Sequence, residues 1–355
     1  MYNFRASTIK ALLGRGFRVV CLSPEDEYSA KLAEIDCEWI ALPMDNKGSN
    51  VANDVRLVLR LVAYYRDLKP VAAFHFTIKN NVYGTWAATL NGIPAVNNVS
   101  GLGTAFIRKG LVSSVVRLLY RLSQPLAHRV FCQNEEDFQL LRAARLVPQK
   151  RLVLLPGSGV DLQRFHPGLR YASSATFRFL YAGRMLADKG LHELLEAVLS
   201  INAAGVRCEL WLCGFAGVDN VSAISLEQLE EWSARPGVRW LGPSDCIEEV
   251  YAQVDCVVLP SYREGMPRSL LEAGAMGLPV VTTNVPGCRN IVTDGHNGLL
   301  CESKSAESLR KAMEAMLALS PEERTHMGAA GRRLVEEEYD ELLVVKAALD
   351  VLEGL

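Results

Sequence analysis

The chain has 355 residues, 49% of them apolar and 22% charged, with a formal net charge of -2. That length suits two domains better than one core, and the composition is that of a soluble globular protein, neither disordered nor collagenous. The near-neutral balance gives no reason to expect nucleic acid as a partner.

In chain order, short β-type apolar runs alternate with helical periodicity. Residues 1–5 run almost straight into a helical pattern over 6–15. A doubly wound domain ordinarily opens on a central strand whose following loop carries phosphate-binding glycines. The first strand of the N-terminal domain is therefore expected to be missing, as a start codon assigned too late would leave it. Strands follow at 18–22, 39–42, 71–76, 95–98, 130–133 and 152–156, with helices at 53–68, 83–91, 111–126 and 135–143. Gly16, Pro70 and Gly92 punctuate helix ends. Breakers crowd 155–168 (Leu-Pro-Gly-Ser-Gly-Val-Asp-Leu-Gln-Arg-Phe-His-Pro-Gly), which puts the boundary within 160–175 and the domains at 1–165 and 166–335. The second half carries strands at 177–181, 209–213, 238–241, 256–259 and 279–282. Its helices fall at 190–202, 247–253, 267–276, 306–318 and 322–337. Strands alternating with helices predict an α/β protein with parallel sheets covered on both faces, twice over. Two such domains are expected to face a cleft at the carboxyl ends of their strands.

Nine cysteines, an odd number without a Cys-x-x-Cys, suggest neither a disulfide framework nor a zinc site. No apolar run reaches membrane-spanning length and no signal peptide is recognisable. The expected location is the reducing cytoplasm.

Two segments carry chemistry. Glu264-Gly-Met-Pro-Arg-Ser-Leu-Leu-Glu272 leaves a buried strand and enters a helix with Pro267 in its first turn. Amides of Gly265, Met266 and Arg268 would then lie at the positive end of a helix, suited to a phosphate. Glu264 can reach a sugar, and Glu272 can accept two hydrogen bonds from a ribose diol. The second segment is Phe177-Arg-Phe-Leu-Tyr-Ala-Gly183-Arg184 followed by Lys189-Gly190. Arginine as a fork and lysine as a point charge can neutralise a diphosphate. In isolation, the two glutamates read equally as solvated surface charges, and the two cations have helix-capping or surface charge as their lesser alternative.

With these residues, with 155–161 and 164–167, and with Val281 to Leu299, the chain resembles the retaining glycosyltransferases of GT-B fold, family 4 or glycosyl transferases group 1. Their two Rossmann-like domains carry two glutamates separated by seven residues. The resemblance implies that Gly183, Arg184 and Lys189 bind the donor diphosphate, Glu264 contacts the donor sugar, Glu272 holds the ribose, and Gly242 lies near the base. It implies no metal and no other cofactor, and a C-terminal helix, 336–355, returning to the first domain.

The first half is similar to a bacterial subgroup acting on lipid-linked sugars in surface polysaccharide assembly. The matching pieces are Asn3-Phe-Arg, His75-Phe-Thr-Ile-Lys79 with Tyr83-Gly84, Val99-Ser-Gly-Leu-Gly103 and Phe131-Cys-Gln-Asn134. His75 would orient or protonate a hydroxyl, or is a satisfied histidine at a strand end. Lys79 is a candidate for an acceptor phosphate. Gly101 and Gly103 would let backbone approach a phosphate, or simply form a turn. On a helical wheel, Leu111, Val112, Val115, Val116, Leu118, Leu119 and Leu122 oppose Ser113, Ser114, Arg117 and Arg121. The stretch 108–129 thus lies on anionic lipid at the inner membrane face, or packs on its own sheet.

The expected reaction moves a hexose or N-acetylhexosamine from a UDP-sugar to a lipid-linked or saccharide acceptor. The rivals are a nucleotide-sugar epimerase of the same fold and a truncated, inactive binding subunit.

Overall fold

The computed structural model describes residues 2–26, 28–44, 50–102, 111–171 and 176–355. The chain divides into two compact units, 1–158 with 341–355, and 159–340. The division falls just ahead of the 160–175 window. Val160 already belongs to the second unit, its N–H donating to Tyr339 O at 2.9 Å, and Phe165 is buried in that unit's core.

The first unit runs α1 (Tyr2–Gly14), β1 (Val20–Ser23), α2 (Ser29–Ala33), β2 (Glu38–Ala41), α3 (Val51–Leu68), β3 (Ala73–Phe76), a π-turn (Asn80–Gly84), α4 (Thr85–Leu90), β4 (Ala95–Val99), α5 (Leu111–Ser123), β5 (Arg129–Cys132), α6 (Glu135–Ala143) and β6 (Leu152–Leu154). Helix α3 shows how sequence fixes an element. Asn50 caps it by accepting from the N–H groups of Ala52 and Asn53, and Leu57, Leu61 and Tyr65 bury one face at four-residue spacing. It ends at Lys69 in the left-handed region, directly before Pro70. All strands are parallel, but they form two sheets, β1–β2 and β3–β4–β5–β6. The C-terminal helix Glu341–Glu353 belongs to this unit, Val344 and Val351 packing with Val96, Phe131 and Leu155. It starts at Glu341 and not at 336, because the preceding helix runs on to Glu338.

The second unit is one six-stranded parallel sheet. Its elements are β7 (Phe177–Ala182), α7 (Leu191–Ala203), β8 (Cys208–Cys213), α8 (Leu226–Ser233), β9 (Val238–Gly242), α9 (Ile247–Tyr251), β10 (Cys256–Leu259), α10 (Arg268–Ala275), β11 (Val280–Thr283), β12 (Gly298–Cys301), α11 (Ala306–Ala318) and α12 (Pro321–Glu338). Strand order is β12-β11-β10-β7-β8-β9. From β7 the chain winds outward through β8 and β9, then returns to lay β10 on the other side of β7. That reversal is a topological switch point, where open α/β sheets bind ligands at strand carboxyl ends. Strand β10 is buried throughout, β8 at all but Glu209, and β7 over Phe179–Tyr181, as parallel strands covered on both faces are at their centres.

Periodicity misses α2, α8 and β12. Helix α2 is five residues, too short to show a period. Helix α8 carries a capping box, Ser225 with Gln228, a legible start signal. Strand β12 is a four-residue edge strand opening on a glycine.

Candidate functional site

Both charged segments of the second unit sit at the switch point. Gly183 and Arg184 follow β7, and Glu264 lies beyond the end of β10. Three contacts bind the two loops together. The Lys189 ammonium donates to Glu264 Oε1 at 2.5 Å, with the two side chains 19% and 13% exposed. The Tyr262 N–H donates to Asp188 O at 3.0 Å, and the Tyr262 phenol donates to Glu193 Oε1 at 2.6 Å. Lys189 is held in register by Gly190, whose φ of +74° allows α7 to start hard against Pro260; a Cβ there would stand 2.2 Å from the Pro260 carbonyl oxygen. Beneath Arg184, the buried Tyr181 phenol donates to the Arg184 carbonyl at 2.8 Å, and the guanidinium end of this residue is left at the exposed rim. The cations of one segment thus stand over the same strand ends as one carboxylate of the other.

Glu272 lies one turn into α10 and belongs to a second group of residues. The Tyr251 phenol donates to its Oε2 at 3.0 Å, and Arg268 Nε lies 3.5 Å from its Oε1. Burial pushes the Glu272 carboxyl above the ordinary carboxylate range, against Arg268, the Tyr251 hydrogen bond and Arg164, which pull it down. Arg164 donates from Nε and Nη2 to Glu248 Oε2 at 2.8 and 2.6 Å and also to the Asp245 carbonyl at 2.8 Å. A cavity of about 370 Å³ opens beside Arg164, lined also by Gln163, Leu169, Tyr171, Glu248 and Ala252. Gly242 closes β9, where its carbonyl accepts the Gly214 N–H at 2.9 Å. Pro267 is the residue before α10, its N-cap, and not its first turn. Gly265 and Met266 stand between Glu264 and that cap. Tyr251 and Tyr262 were not among the residues singled out from sequence, and Arg164 stood there only as part of the matching stretch 164–167. Tyr251 closes a helix before a buried strand, where an aromatic reads simply as core.

In the first unit the geometry fits the second of the two readings of His75, a satisfied histidine at a strand end. The residue is 4% exposed, its Nε2 lies 2.8 Å from the Tyr65 hydroxyl and its Nδ1 2.8 Å from Asn97 Oδ1. Burial pushes its pKa down to about 4, so the ring is neutral with both nitrogens engaged inside the protein. It takes part in a buried polar network with Asn97, Thr85, Asn81 and Gln124.

Lys79 forms an ion pair with Asp54 at 2.7 Å, each side chain 16% exposed, while the Tyr83 phenol donates to the other Asp54 oxygen at 2.8 Å. Gly101 has φ +143°, and the next N–H, of Leu102, donates to Asp137 Oδ2 at 3.0 Å. Gly103 lies outside the described residues, as do 108–110 of the proposed lipid-facing stretch. Helix α5 splits the apolar set read from the wheel. Val116 and Leu119 pack inward against the core with Tyr120. Val115, Leu118, Leu122 and the following Leu126 remain about half exposed, alongside exposed Arg117 and Arg121. Among the described residues no helix is long and apolar enough to cross a membrane.

Comparison with known proteins places this geometry in a family context. Residues 172–334 match the model described as glycosyl transferases group 1, and residues 4–157 match a glycosyl transferase 4-like domain. A Campylobacter jejuni protein, N,N'-diacetylbacillosaminyl-diphospho-undecaprenol alpha-1,3-N-acetylgalactosaminyltransferase, is 27% identical over 98% of this chain and 94% of its own. An Escherichia coli UDP-Gal:alpha-D-GlcNAc-diphosphoundecaprenol alpha-1,3-galactosyltransferase is 23% identical over 74% of this chain and 70% of its own. Among solved structures, Anabaena HepE in complex with UDP-glucose superimposes with a TM-score of 0.80 at 16% identity, covering 99% of this chain and 96% of that one. This last likeness is one of fold, the GT-B fold with its two α/β units.

Proposed function

The chain belongs to the glycosyl transferases group 1 family of glycosyltransferases, and from that premise we propose that it moves a hexose or N-acetylhexosamine from a UDP-sugar to a lipid-linked acceptor. The observation that carries the donor half is the meeting of Lys189 and Glu264 across the switch point, with Arg184 on the same rim. Two cations there suit a diphosphate, and a carboxylate beside them suits sugar hydroxyls. The named substrates of the Campylobacter and Escherichia coli relatives, both diphospho-undecaprenol sugars, support the acceptor half.

In this mechanism the bond from the anomeric carbon to the leaving phosphate oxygen breaks as the acceptor hydroxyl attacks on the same face, with retention. Charge grows on the departing diphosphate, where Arg184, Lys189 and the positive end of α10 stabilise it. The acceptor proton passes to that phosphate. Glu264 positions the sugar and forms no covalent intermediate. No metal takes part in this reading, so transfer is assayed in EDTA. Product that forms only when acceptor is added separates transfer from epimerisation.

The test begins with calorimetric titration of UDP, GDP and ADP. UDP binds more tightly than the other two, and Glu272→Ala weakens it at least about 10-fold, the loss expected for hydrogen bonds to a charged group. A folded protein that binds none of the three overturns the donor assignment.

We also assign to the exposed side of α5 a role at the membrane that carries the acceptor. Half-exposed Val115, Leu118 and Leu122 beside Arg117 and Arg121 suit an anionic lipid surface. Flotation with vesicles rich in phosphatidylglycerol should recover the protein, and the Leu118→Ser/Leu122→Ser variant should stay in the dense fraction with its UDP affinity intact. Equal flotation of the two proteins removes this part of the proposal.

A further inference from the structure

Resting on the assignment of Glu272 to the donor ribose, we propose that Tyr251 is a positioning residue for nucleoside diphosphate binding, its phenol fixing one Glu272 carboxylate oxygen from inside the core. Tyr251 is fully buried at the end of α9 and its ring packs edge-on against Phe165 at 5.9 Å. The phenolic O–H points at Glu272 Oε2, 3.0 Å away, with the Ser269 carbonyl at 3.3 Å. Each carboxylate oxygen has two acceptor positions. Tyr251 therefore occupies one and leaves the others for a vicinal diol, while preventing the carboxylate from turning away from it.

The charged surroundings make the phenol consequential. Glu272 faces Arg268 on its own helix, Arg164 from the loop after β6, and Glu248 with Tyr251 from α9; Cys213 of β8 lies near the phenol. Burial raises the carboxyl, Glu248 adds to that, and Arg268, Tyr251 and Arg164 oppose it. A ribose diol donates two hydrogen bonds, which the ionised carboxylate accepts better than the acid. Donor affinity is accordingly present above the folded-state pKa of Glu272 and lost as pH falls through it. Removing the Tyr251 hydroxyl removes one of the groups that hold this pKa down. The acid limb of donor binding then moves to higher pH.

Titrations with UDP-glucose, whose diphosphate has no proton that titrates in this range, on wild type, Tyr251→Phe, Glu272→Gln and Glu272→Ala from about pH 4.5 to about pH 8, the range bracketing carboxylate titration, decide the matter. Tyr251→Phe keeps the ring and its packing, so folding is retained and is checked by thermal melting. The expected result is a loss of UDP-glucose affinity of about 10-fold near neutrality and an acid limb shifted upward. Donor KM rises with little change in kcat, and the acid limb is absent in Glu272→Gln. An unshifted limb in Tyr251→Phe overturns the proposal, whether affinity is unchanged or falls equally at every pH. So does a limb that persists in Glu272→Gln. Unimpaired UDP-glucose binding by Glu272→Ala overturns the ribose assignment as well, which separates the two failures.

Discussion

Lys189→Ala is expected to lower the rate of sugar transfer by about 10³-fold, the scale found when one donor to a developing oxyanion is removed. Two losses combine. The ammonium is one of two cations available at the switch point for the leaving diphosphate, whose charge grows through the transition state. It is also the partner that holds Glu264 at 2.5 Å, so the carboxylate assigned to the sugar loses its anchor. With both side chains mostly buried, 19% and 13% exposed, the pair is not the solvent-screened kind whose removal goes unnoticed. Single-turnover transfer with saturating donor reads the chemical step. The double variant Lys189→Ala/Glu264→Ala should cost much less than the sum of the single variants, because the two side chains act as a unit. A Lys189→Ala enzyme within about 10-fold of wild type would falsify the assignment of Lys189 to the diphosphate.

The second large effect is on stability. Gly214→Ala should destabilise the second unit by about 3–5 kcal/mol, at the upper end of single substitutions, and lower the thermal midpoint by about 10 °C. Gly214 follows β8 with φ +147°, and a Cβ there would stand 1.9 Å from the Gly183 carbonyl oxygen and 2.7 Å from its carbon. Both atoms are backbone, so nothing flexible can give way. Gly217→Ala is the control. Its φ is +62°, but no atom lies within 4 Å of the added carbon, and only the left-handed strain of about 1 kcal/mol remains. Since Gly183 leads directly into Arg184, Gly214→Ala should also weaken UDP binding. Melting points of the two variants within about 2 °C of each other would refute the clash.

The residues proposed for the donor site were legible because their signals are local. A buried strand must end, the residues just past its carboxyl end are pinned by the sheet, and charged or glycine residues there stand out against an apolar run. Gly183-Arg184 after β7 and Glu264 after β10 are of this kind. His75 has the same local signature, a polar residue near the end of β3, and there the sequence left two readings open. Its environment depends on Asn97 from the next strand and Tyr65 from α3, neither of which is signalled by the segment itself. Tyr251 was invisible for the converse reason, being an aromatic whose one polar atom finds Glu272 only after α9 and α10 have packed. The wheel for α5 found an amphipathic helix, yet apolar residues populate both its inward and outward sides. Val116 could not be told from Val115 without the sheet beneath it.

The first unit has a further property that follows from its divided sheet. Strands β1 and β2 share a ladder of four residue pairs, Val20 with Glu38 through Ser23 with Ala41, and a two-stranded ribbon is marginal without support. That support comes from two sides. Ile9, Cys21, Leu32 and Cys37 form a small cluster on the ribbon, and Leu22 of β1 packs into the cluster of Leu42, Leu57, Leu61, Tyr65 and Ala73 that α3 and β3 share. Leu22 thus bridges the divided sheet, so that an opening of the ribbon to solvent deuterium or a protease also loosens the packing of α3.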